Sequence, residues 1–140
     1  MTTPAGWSAC AGYEWRRELL LGKSDRMTTP LPVTRQILLD APLTRPKETH
    51  HVEIRRIHIE PGYAAGLHIH NGPVFGNIVE GSAVYQIEGQ PEYLVGPGDV
   101  FYEPEDTRIA RFDAGADGVT FFAYFLLEQG QASELILLDS

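Results

Sequence analysis

The stretch that decides the fold is residues 62–81, GYAAGLHIHNGPVFGNIVEG, which contains His68 and His70 one residue apart. Side chains of an extended segment alternate between two faces, so both imidazoles lie on one face of a strand and Ile69 lies on the other. Paired imidazoles are a common part of first-row transition-metal sites. The stretch therefore predicts a strand that carries part of a metal site, whose remaining ligands must come from elsewhere in the chain.

On both sides of this stretch, short β-rich runs alternate with turn residues. Strands are predicted near residues 36–39, 52–59, 67–70, 74–79, 83–87, 92–95, 100–103, 108–112 and 119–127. The segments between them hold turn-forming combinations that include Pro61-Gly62, Asn71-Gly72-Pro73, Glu80-Gly81, Pro97-Gly98-Asp99 and Gly115 to Gly118. Many short strands with regular breaks and no convincing helix predict an all-β sandwich or barrel.

Composition and charge exclude several classes of partner. The 140 residues carry a formal net charge of −8, which opposes binding to phosphate backbones and predicts no nucleic-acid partner. The longest apolar run, Val119 to Leu127, is far shorter than the roughly 20 residues of a membrane-spanning helix, so no membrane partner is expected. The first residues hold no basic segment followed by an apolar one, which predicts a cytoplasmic location.

The chain divides into an N-terminal extension, residues 1–30, and one barrel domain, residues 31–140. Met-Thr-Thr-Pro at residues 1–4 recurs at residues 27–30, so Met27 is a candidate for the natural start and the extension is then not part of the native protein. The alternative is a coincidental repeat that precedes a helical arm from Tyr13 to Leu21.

Two spacings in the chain resemble the two sequence motifs of the cupin family. The matching positions are Gly62, His68, His70 and Gly81 for the first motif, and Gly98 and Pro104 for the start of the second. Val74 stands where the first motif has a glutamate, and Ile109 stands where the second has a histidine. The resemblance implies a double-stranded β-helix, a jelly-roll barrel of two antiparallel sheets with its functional pocket inside. It also implies that a homodimer is the expected assembly.

Cupins that bind a metal hold iron, manganese, zinc, nickel or copper with two histidines and a glutamate from the first motif and one histidine from the second. Only His68 and His70 remain of that set, so the chain needs a replacement ligand. Glu103 is the preferred candidate, as third ligand or as catalytic general base, because it ends a predicted strand beside Pro104. The alternative is that Glu103 faces solvent, since a shift of one residue reverses the face. His58, between two isoleucines, is expected to face outward.

Two functions from different classes remain open. The first is a metal-dependent enzyme of dioxygenase or isomerase type, which acts on a small organic molecule. The second is a non-catalytic cupin that binds or senses a small ligand and has lost its metal site. Arg108 and Arg111 could hold a carboxylate if either points inward, and Arg55 and Arg56 point to opposite faces of their strand, at least one of them toward solvent.

Overall fold

The computed structural model describes residues 30–139 and consists of strands joined by turns and irregular segments. Within these residues the strands are β1 (His51–Ile59), β2 (His68–His70), β3 (Val74–Ile87), β4 (Tyr93–Val95), β5 (Val100–Glu103), β6 (Ile109–Leu127) and β7 (Leu135–Leu137). All strand pairings are antiparallel. In this part of the chain, no helix has the length and apolar character needed to cross a bilayer.

The described strands are hydrogen-bonded into one seven-stranded sheet, and the irregular middle of the two longest strands, β3 and β6, divides it into two parts that are called here the first and the second sheet. In the first sheet, residues 74–78 of β3 lie between β5 and residues 119–125 of β6, and β1 pairs with the other side of β6. In the second sheet, residues 83–87 of β3 pair with β4 and with residues 109–114 of β6, while β2 joins β6 to β7. This arrangement confirms the predicted all-β double-stranded β-helix.

Two of the predicted turns are wrong because β3 and β6 bend where a break was expected. Gly81 and Gly118 lie at the bend with φ angles of 72° and 76°, values that L side chains rarely adopt. A Cβ atom added to Gly81 would overlap the backbone carbonyl of Gly118. The glycines therefore allow two backbones to approach closely at a bulge, and each strand continues from one sheet into the other.

Two further differences concern short segments. The predicted strand at residues 36–39 is wrong, because residues 30–42 contain neither helix nor strand. Conversely, the sequence analysis missed β7, a run of three apolar residues that pairs with β2. Such short runs become strands only where a neighbouring strand offers hydrogen bonds, and the local sequence does not show this. Leu43–Ser140 forms one compact unit.

The proposed helical arm at Tyr13 to Leu21 and nearly all of the N-terminal extension lie outside the described residues. The boundary at residue 30 therefore stays a prediction.

The core lies between the two sheets and contains a cluster of aromatic rings. Phe101, Phe112 and Phe121 pack with ring centroids 5.0 to 5.6 Å apart, and Tyr85 packs against two of them. Aromatic pairs at these distances add to the stabilisation that comes from apolar burial. The three phenylalanines also form one wall of the cavity at the candidate site.

Candidate metal centre

The two histidines of β2 point into the space between the sheets. His68 and His70 are both buried, and their rings lie 5.1 Å apart between centroids at an interplanar angle of 86°. Antiparallel pairing fixes the strand on both sides, with His68 opposite Ile109 of β6 and opposite Leu137 of β7. The prediction that both imidazoles share one face is confirmed.

Glu103 reaches the same space from the opposite sheet. It ends β5, where Phe101 and Glu103 are buried and Tyr102 between them is half-buried on the outer face. The structure therefore selects the inward orientation of Glu103 over the solvent-facing alternative. Its roles as metal ligand and catalytic residue stay predictions.

The three side chains converge on one small volume. One carboxylate oxygen of Glu103 (Oε2) lies 2.6 Å from Nε2 of His70 and 3.7 Å from Nε2 of His68. One ligand atom from each of the three residues lies within 4.8 Å of the others. Sites of two imidazoles and one carboxylate are typical of non-haem iron, and they leave positions open for water or substrate.

A backbone carbonyl fixes the orientation of His68. Nδ1 of His68 lies 2.8 Å from the carbonyl oxygen of Gly66, to which it donates a hydrogen bond. This leaves Nε2 as the atom that faces His70 and Glu103. A hydrogen bond on the distal ring nitrogen is a common support for metal-binding histidines because it fixes the tautomer and raises ligand basicity. Sequence reasoning missed this role of Gly66, since a backbone acceptor leaves no mark on residue type.

Burial and charge act in opposite directions on the ionisable groups of the site. Burial by itself raises the pKa of Glu103, but hydrogen bonds from His68 and His70 outweigh it and hold that pKa below its ordinary value. Burial by itself lowers the pKa of His68, but the hydrogen bond and the charge of Glu103 outweigh it and raise that pKa. The site therefore favours a negatively charged Glu103, and such a carboxylate would partly neutralise a bound cation.

The donor atoms fit a transition metal in both chemistry and spacing. Metal–nitrogen and metal–oxygen bonds of about 2.0 to 2.2 Å place two donors on one ion roughly 3 to 3.5 Å apart. The two Glu103–histidine distances, 2.6 and 3.7 Å, lie on either side of this range. Shifts of less than about 1 Å between the donors would therefore accommodate an ion.

The two departures from the cupin motifs are adjacent to the proposed ligands. Val74, which stands where the first motif has a glutamate, is the direct cross-strand partner of Glu103. The carboxylate of Glu103 therefore comes from the neighbouring strand, directly opposite the motif position. Ile109 is the cross-strand partner of His68 and is fully buried. An apolar side chain thus stands where the resemblance implies a fourth ligand, and the carboxylate of Glu103 lies directly across the sheet from the position where the motif has a glutamate.

A cavity of about 120 Å³ adjoins the three side chains, and His68, His70 and Glu103 line it. The rest of its lining is apolar and includes Ile57, Phe101, Phe121, Phe125 and Leu135. Apolar walls with a few converging polar groups are typical of small-molecule sites. The arrangement can bind a small molecule against a metal while the walls limit access of water.

Other residues considered in the sequence lie away from this cavity. His58 is half exposed, and its Nδ1 lies 2.9 Å from the hydroxyl of Thr120, which agrees with the expected outward orientation. Arg108 pairs with Glu88 at the surface. Arg111 is likewise partly exposed, in ion pairs with Asp113 and Glu92. These two arginines are therefore surface charges and not ligands of the cavity.

Comparison with known proteins relates part of the chain to one family. Residues 55–110 match the family model described as "Cupin domain". No similar protein was found among curated sequences.

Among solved structures, the chain is similar to a cupin-like protein from Thermotoga maritima, with 20% identity and a TM-score of 0.50 over 61% of this chain and 64% of that one. It is also similar to a chain from a study of DMSP lyases, with 18% identity and a TM-score of 0.53 over 61% of this chain and 44% of the other. For an oxalate oxidase in complex with glycolate, the values are 21% identity and a TM-score of 0.50, over 59% and 45% of the two chains. The match spans less than two thirds of each of these proteins. At these sequence identities, it indicates a similar fold.

Proposed function

The chain belongs to the cupin superfamily, and on this basis we propose that it binds a divalent transition metal through His68, His70 and Glu103. We further propose that it acts on a small organic molecule in the adjoining cavity. The observation that carries the proposal is the convergence of three buried donor residues, from two facing sheets, at the wall of an apolar cavity. Buried ionisable groups that cluster in a cavity are more typical of a functional site than of a structural core.

Iron, manganese, zinc, nickel and copper all suit the donor set, and its two imidazoles and one carboxylate favour iron. When bound, the metal would supply Lewis acidity or oxygen-activating chemistry. The chain's own residues then have separate tasks. His68 and His70 present neutral Nε2 atoms, and Glu103 contributes the negative charge that partly compensates the cation. The apolar walls exclude water and thereby strengthen electrostatic interactions at the reacting atoms.

The non-catalytic alternative is supported by one observation. Ile109 fills the position of the fourth cupin ligand and is fully buried, so the chain offers one imidazole fewer than a complete site. A cupin that only recognises a ligand would need the cavity but not the metal. Metal content therefore separates the two functions.

A homodimer is part of the same proposal, and it is supported by the outer side of β1. This strand pairs only with β6 among the described strands, and no described strand pairs with its other edge. Val52 and Ile54 on its outer face are 52% and 60% exposed. Light scattering of wild-type protein and of Ile54→Glu tests the proposal, which expects a dimer that the substitution weakens. The cytoplasmic location stays a prediction from the sequence.

The experiment that tests the proposed metal site is elemental analysis of protein purified without an affinity tag. We expect stoichiometric transition metal in the wild type and in the control His58→Ala, which removes a histidine outside the cavity. We expect loss of metal in His70→Ala and in Glu103→Gln. Circular dichroism of each variant verifies that the fold is retained. Wild-type protein without metal after reconstitution, or folded variants that keep full metal, would contradict the proposal.

A further inference from the structure

We propose that Arg55 binds the anionic group of the substrate at the edge of the cavity, and that this substrate is a small carboxylate of about six non-hydrogen atoms. The inference rests on the proposed function, because it names the substrate class of the same site. Arg55 lies in β1, between the cavity-facing Ile57 and the acidic Glu53.

The register of β1 places Arg55 on the interior face of the barrel. Ile57 lines the cavity and is two residues away, so both side chains lie on the same side of the strand. Across the pairing, Arg55 is opposite Ala123, which also lines the cavity. Side chains of direct cross-strand partners lie next to each other on one face of a sheet. Arg55 therefore lies on the cavity side of β1, next to two lining residues, although its own side chain is 48% exposed and does not line the cavity.

Ring contacts connect Arg55 to the candidate metal centre. The guanidinium carbon of Arg55 lies 5.0 Å from the ring centroid of Phe125, within the range of a cation–π interaction. The ring of Phe125 in turn lies 6.4 Å from that of His70. The guanidinium and the His70 ring are thus at most about 11 Å apart, which is the sum of these two distances. A molecule of a few carbon atoms whose carboxylate lies at the guanidinium can extend over much of this separation toward the metal centre.

The guanidinium keeps donors available for a ligand. Glu53 contacts it through a single carboxylate oxygen, which lies next to Nε and one terminal nitrogen of Arg55. Arginine has five N–H donors in a planar fork, so the second terminal nitrogen remains. Among residues 30–139, no second acidic side chain pairs with Arg55. The Glu53 pair and the ring of Phe125 position the guanidinium, and the remaining edge suits a carboxylate.

Cavity size and net charge narrow the ligand. An apolar cavity of about 150 Å³ is known to accommodate benzene, so the 120 Å³ here corresponds to roughly six non-hydrogen atoms. The walls are apolar, which favours a hydrocarbon body. The chain carries a net charge of −8, and Glu53 lies beside the guanidinium of Arg55, so a single negative charge is better tolerated than two. These features together favour a monocarboxylate.

The chain supplies a matched control on the opposite face of the same strand. Arg56 lies with its guanidinium carbon 5.5 Å from the ring centroid of Phe122, in the same kind of cation–π contact. Phe122 is also the cross-strand partner of Arg56 and does not line the cavity, whereas Phe125 and Ala123, the corresponding neighbours of Arg55, do. Substitution of Arg56 therefore removes an equivalent charge and an equivalent ring contact without affecting the proposed ligand site.

The test compares butyrate with butyramide, which have the same number of non-hydrogen atoms and differ in charge. Binding is measured by calorimetry or NMR titration in wild type, Arg55→Gln, Arg55→Lys and Arg56→Gln, each in metal-free and zinc-loaded form. We expect the wild type and Arg56→Gln to prefer butyrate. We expect Arg55→Gln to bind butyrate about fivefold more weakly with butyramide unaffected, the size of a partly exposed charge pair, and Arg55→Lys to retain part of the preference.

The inference is overturned if the wild type does not bind butyrate saturably, if Arg55→Gln leaves the butyrate affinity unchanged, or if it weakens both probes equally. It is equally overturned if Arg56→Gln has the same effect as Arg55→Gln. Failure of the proposed metal site gives a different result, because the protein would then take up no zinc. If no zinc is taken up, butyrate binding to the metal-free wild type and to metal-free Arg55→Gln still tests whether Arg55 binds the carboxylate.

Discussion

Exchanging the carboxylate between two adjacent strands tests whether Glu103 replaces the missing motif glutamate. Val74 and Glu103 are direct cross-strand partners, and Val74 occupies the position of the glutamate in the cupin motif. The double variant Val74→Glu/Glu103→Val moves the carboxylate by one strand, a step of about 4.8 Å, and keeps the composition of the pair. We expect the double variant to bind metal. We expect Val74→Glu alone to lose stability in the metal-free form, and Glu103→Val alone to bind metal weakly.

The magnitudes follow from the cross-strand geometry. In Val74→Glu alone, two carboxylates lie roughly 5 Å apart, and at an effective dielectric constant of about 20 their repulsion is about 3 kcal/mol. This amount is lost from the free energy of unfolding of the metal-free protein, or appears as a raised pKa of one carboxyl group. In Glu103→Val alone, a direct ligand is lost. Loss of an outer hydrogen-bonding partner already weakens metal binding 10- to 100-fold, so we expect a decrease of more than about 100-fold.

Two assays follow these effects. Urea unfolding of the metal-free proteins measures stability, and Val74→Gln serves as the control because it adds the same volume without charge. Competition with a chromophoric chelator measures zinc affinity, which we expect to return in the double variant to within about tenfold of the wild-type value, or about 1.4 kcal/mol. A folded double variant that binds zinc no better than Glu103→Val would refute the reasoning. So would equal destabilisation by Val74→Glu and Val74→Gln.

Three further predictions concern protons, packing and the fourth ligand position. Because the pKa of His68 is raised, protons compete with metal at a higher pH than at an ordinary histidine. Zinc affinity should be constant above that pKa and should fall as the pH drops through it, as a chelator titration at several pH values would show. Gly76→Ala should lower the free energy of unfolding by about 1 to 3 kcal/mol, because the added methyl overlaps the ring of Phe101. Urea unfolding should show that the double variant Gly76→Ala/Phe101→Leu recovers part of this loss. Strictly additive effects of the two substitutions on the free energy of unfolding would contradict the contact. Ile109→His should increase zinc affinity at least tenfold, because position 109 is directly opposite His68, and an unchanged affinity in a folded variant would exclude this position as a ligand site.

The sequence predicted most of the barrel but not its continuity. Eight of the nine predicted segments lie in β1 to β6 at closely similar positions, since alternating apolar residues and turn glycines are local signals. The two predicted segments on either side of Gly81 belong to one continuous strand, β3, and the two on either side of Gly118 belong to another, β6. A glycine with positive φ serves a turn and a bulge equally well, and only the pairing of two such glycines across the sheets distinguishes them.

For the candidate site, the spacing of His68 and His70 was sufficient to place both imidazoles on one face, because strand periodicity is a property of the backbone. Glu103 was a candidate with two open orientations, and Arg55 was not assigned to the cavity. Both depend on which face of a strand turns inward, and a shift of one residue reverses that choice. The contacts between sheets resolve it, since they come from residues far apart in the chain.

By itself, therefore, the sequence determined the fold class, the family resemblance and the two histidines, all of which depend on spacing within a few residues. Tertiary structure alone decided that Glu103 meets those histidines from the facing sheet, that Ile109 is buried directly opposite His68, and that Arg55 lies on the same face of β1 as the cavity-lining Ile57. The physical reason is that metal coordination and ligand binding require atoms within a few ångströms of each other. Here that proximity comes from the pairing and stacking of distant strands.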